Sequence, residues 1–317
     1  MNIIKQLFGK DDQVPAWANF FTEEDFRVFM AALRQDLADR GLPHDVEPVA
    51  GTVRVTPSGH DPQALGLLNL AQVCHQTPRG EWPEVIERHL DAALSVFTGG
   101  MDFVDRLGTD FGRAKSLLKL RLYADDYLES GIPMVYRPVA EGLVAVLVYD
   151  LPQSIATVPS DHLRAWRRTE DELFELALQN VRAAGKLEHS TVPLPQGGAL
   201  ELLTGVDNYF AATHLLCLEE HVALPPAAGL LVGAPNRHGL VVHRIQGLEV
   251  MGALQALLGA IPGMYAEGPG SISPNLYWWR EGALILLPSL IEDGQINFTP
   301  PAEFMGMLNG LSEEGQQ

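Results

Sequence analysis

Cysteine is nearly absent from this chain. Two residues, Cys74 and Cys217, stand far apart among 317 and show no CxxC spacing. Two thiols build no disulfide framework, and in apolar surroundings a reduced thiol acts as a small hydrophobe. Positive charge is also scarce, with 22 Lys+Arg against 40 Asp+Glu for a net charge of −18. A nucleic-acid binder needs cations to displace counterions from phosphates, so that class is excluded. The imbalance sharpens from Leu187 onward, where Arg237, Arg244 and Arg280 face thirteen acids. Long apolar runs are missing too. No stretch approaches the roughly eighteen residues of a membrane span, and the opening Met1–Lys10 run is too short for a signal peptide. The expectation is a cytoplasmic protein with no membrane contact. GxSxG, HExxH and kinase motifs are lacking, and Gly263–Ser271, though glycine-rich, has no Lys-Ser/Thr pair to make a phosphate loop. No cofactor is expected.

What is present belongs to a globular chain: 46% hydrophobic and 20% charged residues suffice for a buried core, and the length suits two domains. Thr22 precedes Glu23, Glu24 and Asp25, and Phe26, Phe29, Met30, Leu33 and Leu37 follow at helical spacing. Gly41 and Pro43 stop that helix. A short helix is expected before it, and Val49–Thr56 alternates as a half-buried strand. A turn follows at 58–62, and Ala64–Val73 reads as a more apolar strand or buried segment. Trp82 and Pro83 open another helix, with Val85, Ile86, Leu90 and Phe97 on one side. Residues 102–128 read as mostly helical.

The period then changes. Val135–Val139 and Leu143–Tyr149 flank Ala140-Glu141-Gly142 as a hairpin, and Ile155–Val158 adds a strand. Thr169-Glu-Asp-Glu172 is a capping box, in which the Thr hydroxyl accepts from the backbone of Glu172 and the Glu172 carboxylate reaches back. The chain from 186 to 198 is expected to be irregular. Further strands are expected at Leu200–Leu203, Leu230–Gly233, Leu240–Ile245, Tyr277–Trp279 and Ala283–Leu287. Helices are expected at Asn208–Val222 and Leu248–Ile261. Strand pairs joined by tight turns mean antiparallel sheet, so the expected class is α+β, with antiparallel strand pairs alternating with helices in two packed α+β domains. The boundaries predicted are 1–130 and 131–310, followed by a frayed tail at 311–317.

Three segments carry a family resemblance: Val146–Asp150 running into Asp161-His-Leu-Arg-Ala-Trp166 and the helix Thr169–Asn180; Gly233-Ala-Pro-Asn-Arg-His-Gly239; and Ser273-Pro-Asn-Leu-Tyr-Trp-Trp279. In that order they resemble the YtpQ-like bacterial family, domain of unknown function 1444, over roughly residues 140–290. The resemblance implies a cytoplasmic bacterial protein with an α+β domain. It brings no catalytic residues with it.

Several side-chain sets can carry chemistry. His214, Cys217 and His221, at i, i+3 and i+7, share one flank of the predicted helix and would ligate zinc if a fourth donor came from elsewhere. The same spacing suits a half-buried packing flank. Cys74 and His75 adjoin but point apart in a strand, so a Cys–His pair would need a partner such as His89. Asp125-Asp126 suits Mg²⁺ or acid–base work, and equally a solvated helix end. Arg237 and His238 sit at a predicted hairpin tip, where binding residues tend to lie. Trp278 and Trp279 are neighbours on a strand and face opposite ways, so one is expected to be exposed or to cover a second layer. Two functions follow. One is a non-enzymatic acidic module, chaperone-like or inhibitory, binding a basic protein through Arg237, His238, Trp278 and Trp279. The other is a metal-dependent hydrolase built on His214, Cys217 and His221.

Overall fold

The computed structural model describes residues 14–57, 62–95, 101–130, 132–151, 154–205, 208–222, 226–292 and 295–314. The expected opening helix and most of the turn at 58–62 lie outside them, as do residues 315–317 of the expected tail. The fold mixes helices with several antiparallel sheets. By contact density it divides into two compact units. One holds the described residues up to Arg106 with short pieces at Leu151–Ser154 and Glu267–Pro269; the other holds Leu107–Asp150, Ile155–Ala266 and the chain from Gly270.

In the first unit, helix α1 (Glu23–Asp39) starts where the sequence says it should. The Thr22 side chain accepts from the backbone of Asp25 at 3.1 Å, and Phe26, Phe29, Met30, Leu33 and Leu37 are buried. Gly41 then takes a φ of +64°, which a side chain would strain. Strands β1 (His44–Glu47), β2 (Thr52–Val55) and β3 (Gln63–Gly66) form a three-stranded sheet. Of the two alternatives for Ala64–Val73, the strand holds only to Gly66, and the apolar run after it is a buried segment, helix α2 (Leu68–His75), with Leu70, Ala71 and Cys74 inside. A short apolar run does not fix its own period, and here the helical one wins. Helix α3 (Trp82–Ser95) closes the core with Trp82, Val85, Ile86 and Leu90.

From Met101, just before the first unit ends at Arg106, the chain departs from expectation. The chain over 102–128 is not one helical region. Helices α4 (Met101–Thr109) and α5 (Phe111–Ala114) are followed by strand β4 (Leu118–Ala124). Its LKLRLYA sequence alternates, with Leu118, Leu120 and Leu122 buried, but Leu, Lys and Arg also favour helices and hide the period-two signal. Strand β5 (Tyr136–Ala140) and strand β6 (Leu143–Asp150) form the expected hairpin, turning at Gly142 with φ +77°. Strand β7 (Ile155–Thr157) pairs with β6 to give a four-stranded antiparallel sheet, in which β6 is buried on both faces from Leu143 to Tyr149.

Helix α6 (Ser160–Trp166) precedes α7 (Glu170–Ala183), whose capping box is complete: Thr169 Oγ1 accepts from the Glu172 backbone at 3.2 Å, and the Glu172 carboxylate accepts from the Thr169 backbone at 3.0 Å. The segment 186–198 holds an edge strand, β8 (Glu188–Pro193), in place of the irregular chain expected there. Its side chains are all exposed, so the sequence shows no apolar alternation to give the strand away. It pairs with β9 (Ala199–Thr204). A 3-10 segment follows at Ala211–Glu220, then β10 (Leu230–Asn236) and β11 (Gly239–Arg244), helix α8 (Val250–Glu267), β12 (Leu276–Arg280) and β13 (Ala283–Leu287).

These strands form one six-stranded antiparallel sheet in the order β13-β12-β10-β11-β9-β8. Glu281 and Gly282, both with positive φ, make the tight β12–β13 turn that the twist of a hairpin prefers. A small hairpin, β14 (Ser289–Glu292) and β15 (Gln295–Phe298), leads to helix α9 (Ala302–Glu314). The main core packs Leu231, Val241, Leu276 and Trp278 of the sheet against Leu254, Leu257 and Ile261 of α8 and Phe304 of α9. Both tryptophans lie inside. Trp278 is 1% exposed and Trp279 8%, so neither indole is exposed, and of the two alternatives only the covering of a second layer remains. Among the described residues, no helix is long and apolar enough to cross a membrane.

Candidate metal centre

His214, Cys217 and His221 lie on the 3-10 segment Ala211–Glu220 and its C-cap, not on the regular α-helix that the sequence suggested. The segment begins after Asn208, whose side chain accepts from the backbone of Phe210 at 2.9 Å. It packs against β4, β9, β10, β11 and α7. A 3-10 helix turns by roughly 120° per residue, so residues three apart eclipse and His214 stands over Cys217. A residue seven along would point away by about a third of a turn. The backbone corrects this at Cys217 itself, where φ −139° and ψ 41° break the helix and swing His221 back. The predicted juxtaposition is therefore present, but a kink produces it.

The donor atoms of the three side chains all lie within 4.8 Å of one another. His214 Nδ1 and His221 Nε2 are 2.8 Å apart in a hydrogen bond, and Cys217 Sγ is 3.9 Å from His214 Nδ1. The imidazole planes meet edge to face at 79°. His214 and Cys217 are buried, and His221 is half-buried. His214 Nε2 is buried with no hydrogen-bond partner. The tautomer with its proton on Nδ1, donated to His221, avoids burying an unpaired N–H.

Burial dominates the electrostatics. It lowers the His214 pKa to about 4, helped by the nearby charges of His221 and Arg182. It lowers His221 as well, with His189 acting in the same direction and Glu220 against it. The Cys217 thiol is pushed up to about 11, first by burial and then by Glu220, while Arg182 opposes the rise. Both imidazoles are thus neutral at pH 7, the form in which they ligate metals, and the thiol holds its proton until something displaces it. Sequence reasoning missed His189. It lies on exposed strand β8, and its ring centre is 6.1 Å from that of His221. Only the pairing of β8 with β9 brings it there, through the register His189↔Leu203.

The other candidates are dispersed. Cys74 is buried at the end of α2 with its thiol pushed up to about 12 by burial, while the exposed His75 packs on Phe20 and Phe21. No hydrogen bond joins Cys74 to a histidine among the described residues. Asp125 and Asp126 begin an exposed 3-10 turn. Arg237 and His238 form the β10–β11 turn as expected but are half-buried. With Trp278 and Trp279 in the core, the four residues expected to bind a partner share no exposed surface. A cleft of about 560 Å³ near α7 is lined by Leu120, Arg137, Asp171, Phe174 and Leu216, but its arginine is satisfied by Asp171 at 2.5 Å.

Compared with family models, curated proteins and solved structures, the chain matches none.

Proposed function

We propose that this protein binds a zinc-type ion through His214, Cys217 and His221, with His189 as the fourth donor. The carrying observation is the convergence of two imidazoles and a thiol within 4.8 Å at a backbone kink. Ordinary zinc bond lengths and tetrahedral angles place two nitrogens about 3.3 Å apart, and a nitrogen and a sulfur about 3.6 Å apart. The observed separations of 2.8 and 3.9 Å each lie within about half an ångström of those values. One imidazole rotation would accommodate the ion.

With a metal on Nδ1, His214 carries its proton on Nε2, where no partner waits. Lack of an outer hydrogen bond to a ligating histidine weakens binding by about 10- to 100-fold. The expected affinity is therefore below that of a fully supported structural zinc site. The donor set also suits copper, which competes for such ligands.

The test uses untagged protein stripped with chelator and titrated with Co²⁺ and Zn²⁺. One equivalent of Co²⁺ should give the thiolate-to-cobalt absorption and visible bands of a tetrahedral site, and Zn²⁺ should displace it. Cys217→Ser should remove the thiolate band, and His189→Asn should change the visible bands while leaving it. No uptake, or a band that persists in Cys217→Ser, overturns the reading.

A hydrolytic centre is the second reading. It is favoured by the placement of His189 outside the converged trio, which leaves a fourth position for water. Glu220, whose charge acts on both Cys217 and His221, is held by Arg182 at 2.7 Å. Metal-dependent hydrolysis of an activated ester that rises in His189→Asn would favour this reading; metal uptake without turnover favours the closed site.

A further inference from the structure

The cleft of about 560 Å³ beside α7 has the size and the mostly apolar lining of a binding site. Strands β4 and β6 contribute Leu120 and Ala145, both buried. Helix α7 contributes Asp171, Phe174, Glu175 and Leu178. Spaced i, i+3, i+4 and i+7, these share one flank, which runs about 10 Å over two turns. Strand β5 contributes three consecutive residues, Arg137, Pro138 and Val139. In a regular strand neighbours point to opposite faces. Here the pairing with β6 slips between Pro138 and Ala140, and the irregularity re-aims the chain toward the cleft. Leu216 completes the lining. It is the one residue from Ala211 to Leu218 that the core does not bury.

The charges around the cleft select the sign of what enters it. Its one cation is already engaged: the Arg137 guanidinium lies 4.2 Å over the ring of Phe174 and pairs with Asp171 at 2.5 Å. The two carboxylates stay open to solvent, with the Asp171 side chain 91% exposed and that of Glu175 61%. They stand four apart on α7, a spacing at which like charges repel mildly. Glu175 accepts from Gln179 at 3.0 Å, and Arg182 comes only within 3.6 Å of it because Glu220 holds that arginine at 2.7 Å. On the neighbouring flank, Glu172 and Arg168 pair with each other at 3.3 Å. The lining therefore carries one net negative charge, in a chain of net charge −18. A cation placed between Asp171 and Glu175 would relieve their repulsion, whereas an anion would meet both.

We propose that this cleft docks a short segment of a basic partner protein, with a large apolar side chain over Leu178 and Leu216 and an adjoining lysine or arginine between Asp171 and Glu175. Two turns of helix flank match the length of about three residues of extended chain, so a linear segment fits along it. The apolar lining supplies affinity, and the complementary charge supplies selectivity and a fast encounter. Arg237, His238, Trp278 and Trp279, the residues first expected to bind a basic protein, share no exposed surface. The cleft supplies the surface that they lack. It draws on none of the metal-centre donors, so the test keeps chelator present and that centre empty.

The experiment selects short random peptides displayed on phage against the full chain, then measures the enriched sequences as labelled peptides by fluorescence anisotropy. Enriched peptides should carry a lysine or arginine beside a large apolar residue. Asp171→Asn combined with Glu175→Gln should weaken them about fivefold and flatten their dependence on sodium chloride. Leu178→Ala should weaken them about tenfold and leave the salt dependence in place. Both variants should keep the circular dichroism of the parent; Leu216→Ala, on another element, repeats the apolar test should Leu178→Ala disturb α7. Enrichment of acidic peptides, or no enrichment, overturns the proposal, as does full affinity in either the carboxylate or the leucine variant. A parent that dimerises in sedimentation, with the dimer lost in Leu178→Ala, would assign the cleft to a second copy of the chain and overturn it too.

Discussion

Trp278→Phe should destabilise the six-stranded sheet by about 2 kcal/mol. The indole is 1% exposed, donates from Nε1 to Ala228 O at 2.8 Å, and meets Phe304 edge to face at 5.3 Å. Phenylalanine keeps most of the apolar contact but loses part of a ring. The neighbourhood cannot close the gap easily, since a Cβ at Gly229 would already lie 2.8 Å from Nε1 and 2.4 Å from Trp279 O. Lost transfer and cavity together cost about 1 kcal/mol. The half-buried Ala228 carbonyl losing its donor adds about 1 kcal/mol more. Urea denaturation of the whole chain, followed by far-UV circular dichroism, reads the sum as a lower midpoint at unchanged slope. A loss under about 0.5 kcal/mol would refute the argument. It would mean that the indole contributes far less than its burial and its hydrogen bond imply.

Thr169→Ala should cost about 1 kcal/mol by removing the N-cap of α7, read from the same denaturation curves. The Glu172 carboxylate is held below its usual range, chiefly by the backbone hydrogen bond from Thr169 and also by Arg168. A depressed acid contributes stability above its unfolded pKa and loses it as pH falls through the folded value. Glu172→Gln should therefore flatten the acid limb of the stability–pH profile below about pH 4.5, with little change in its shape at neutral pH. Gly239→Ala should destabilise by about 2 kcal/mol or more, because a Cβ there would sit 2.4 Å from Leu203 O, a backbone atom that moves only with β9. Gly306→Ala, in α9 with nothing within 4 Å of the added Cβ, should instead raise stability by about 0.5–1 kcal/mol. Melting temperatures of the two glycine variants, moving in opposite directions, check the pair.

Local signals in the sequence carried through wherever one element decided the outcome. The cap at Thr22, the box at Thr169 and the turns at Gly142 and Gly282 each satisfy backbone groups within a few residues, so composition alone reveals them. Strands β4 and β8 escaped for opposite reasons. The first is written in residues that helices also favour; the second is exposed on an edge and needs no apolar face. Their existence depends on pairing with β6 and β9, which no signal inside the strands themselves reveals.

The metal centre shows the same division at the level of single residues. The spacing of His214, Cys217 and His221 is visible in the sequence, but the argument from an α-helical face reached the right trio by the wrong geometry. The segment is a 3-10 helix, in which His221 would diverge unless the chain broke, and the break falls on Cys217 itself. The fourth donor had no sequence signal at all, because His189 comes near only through the β8–β9 register. The binding residues at the hairpin turn divide in the same way. Arg237 was conspicuous as one of three bases in an acidic region. Arg121, whose charge bears on it, lies on a strand that the sequence disguised as a helix. The metal centre thus has one half written locally and one half supplied by strand pairing. A variant that shifts the pairing of β9, such as Gly239→Ala, should accordingly disturb the approach of His189 and the Arg237 turn together, whereas a change confined to α9 should leave both in place.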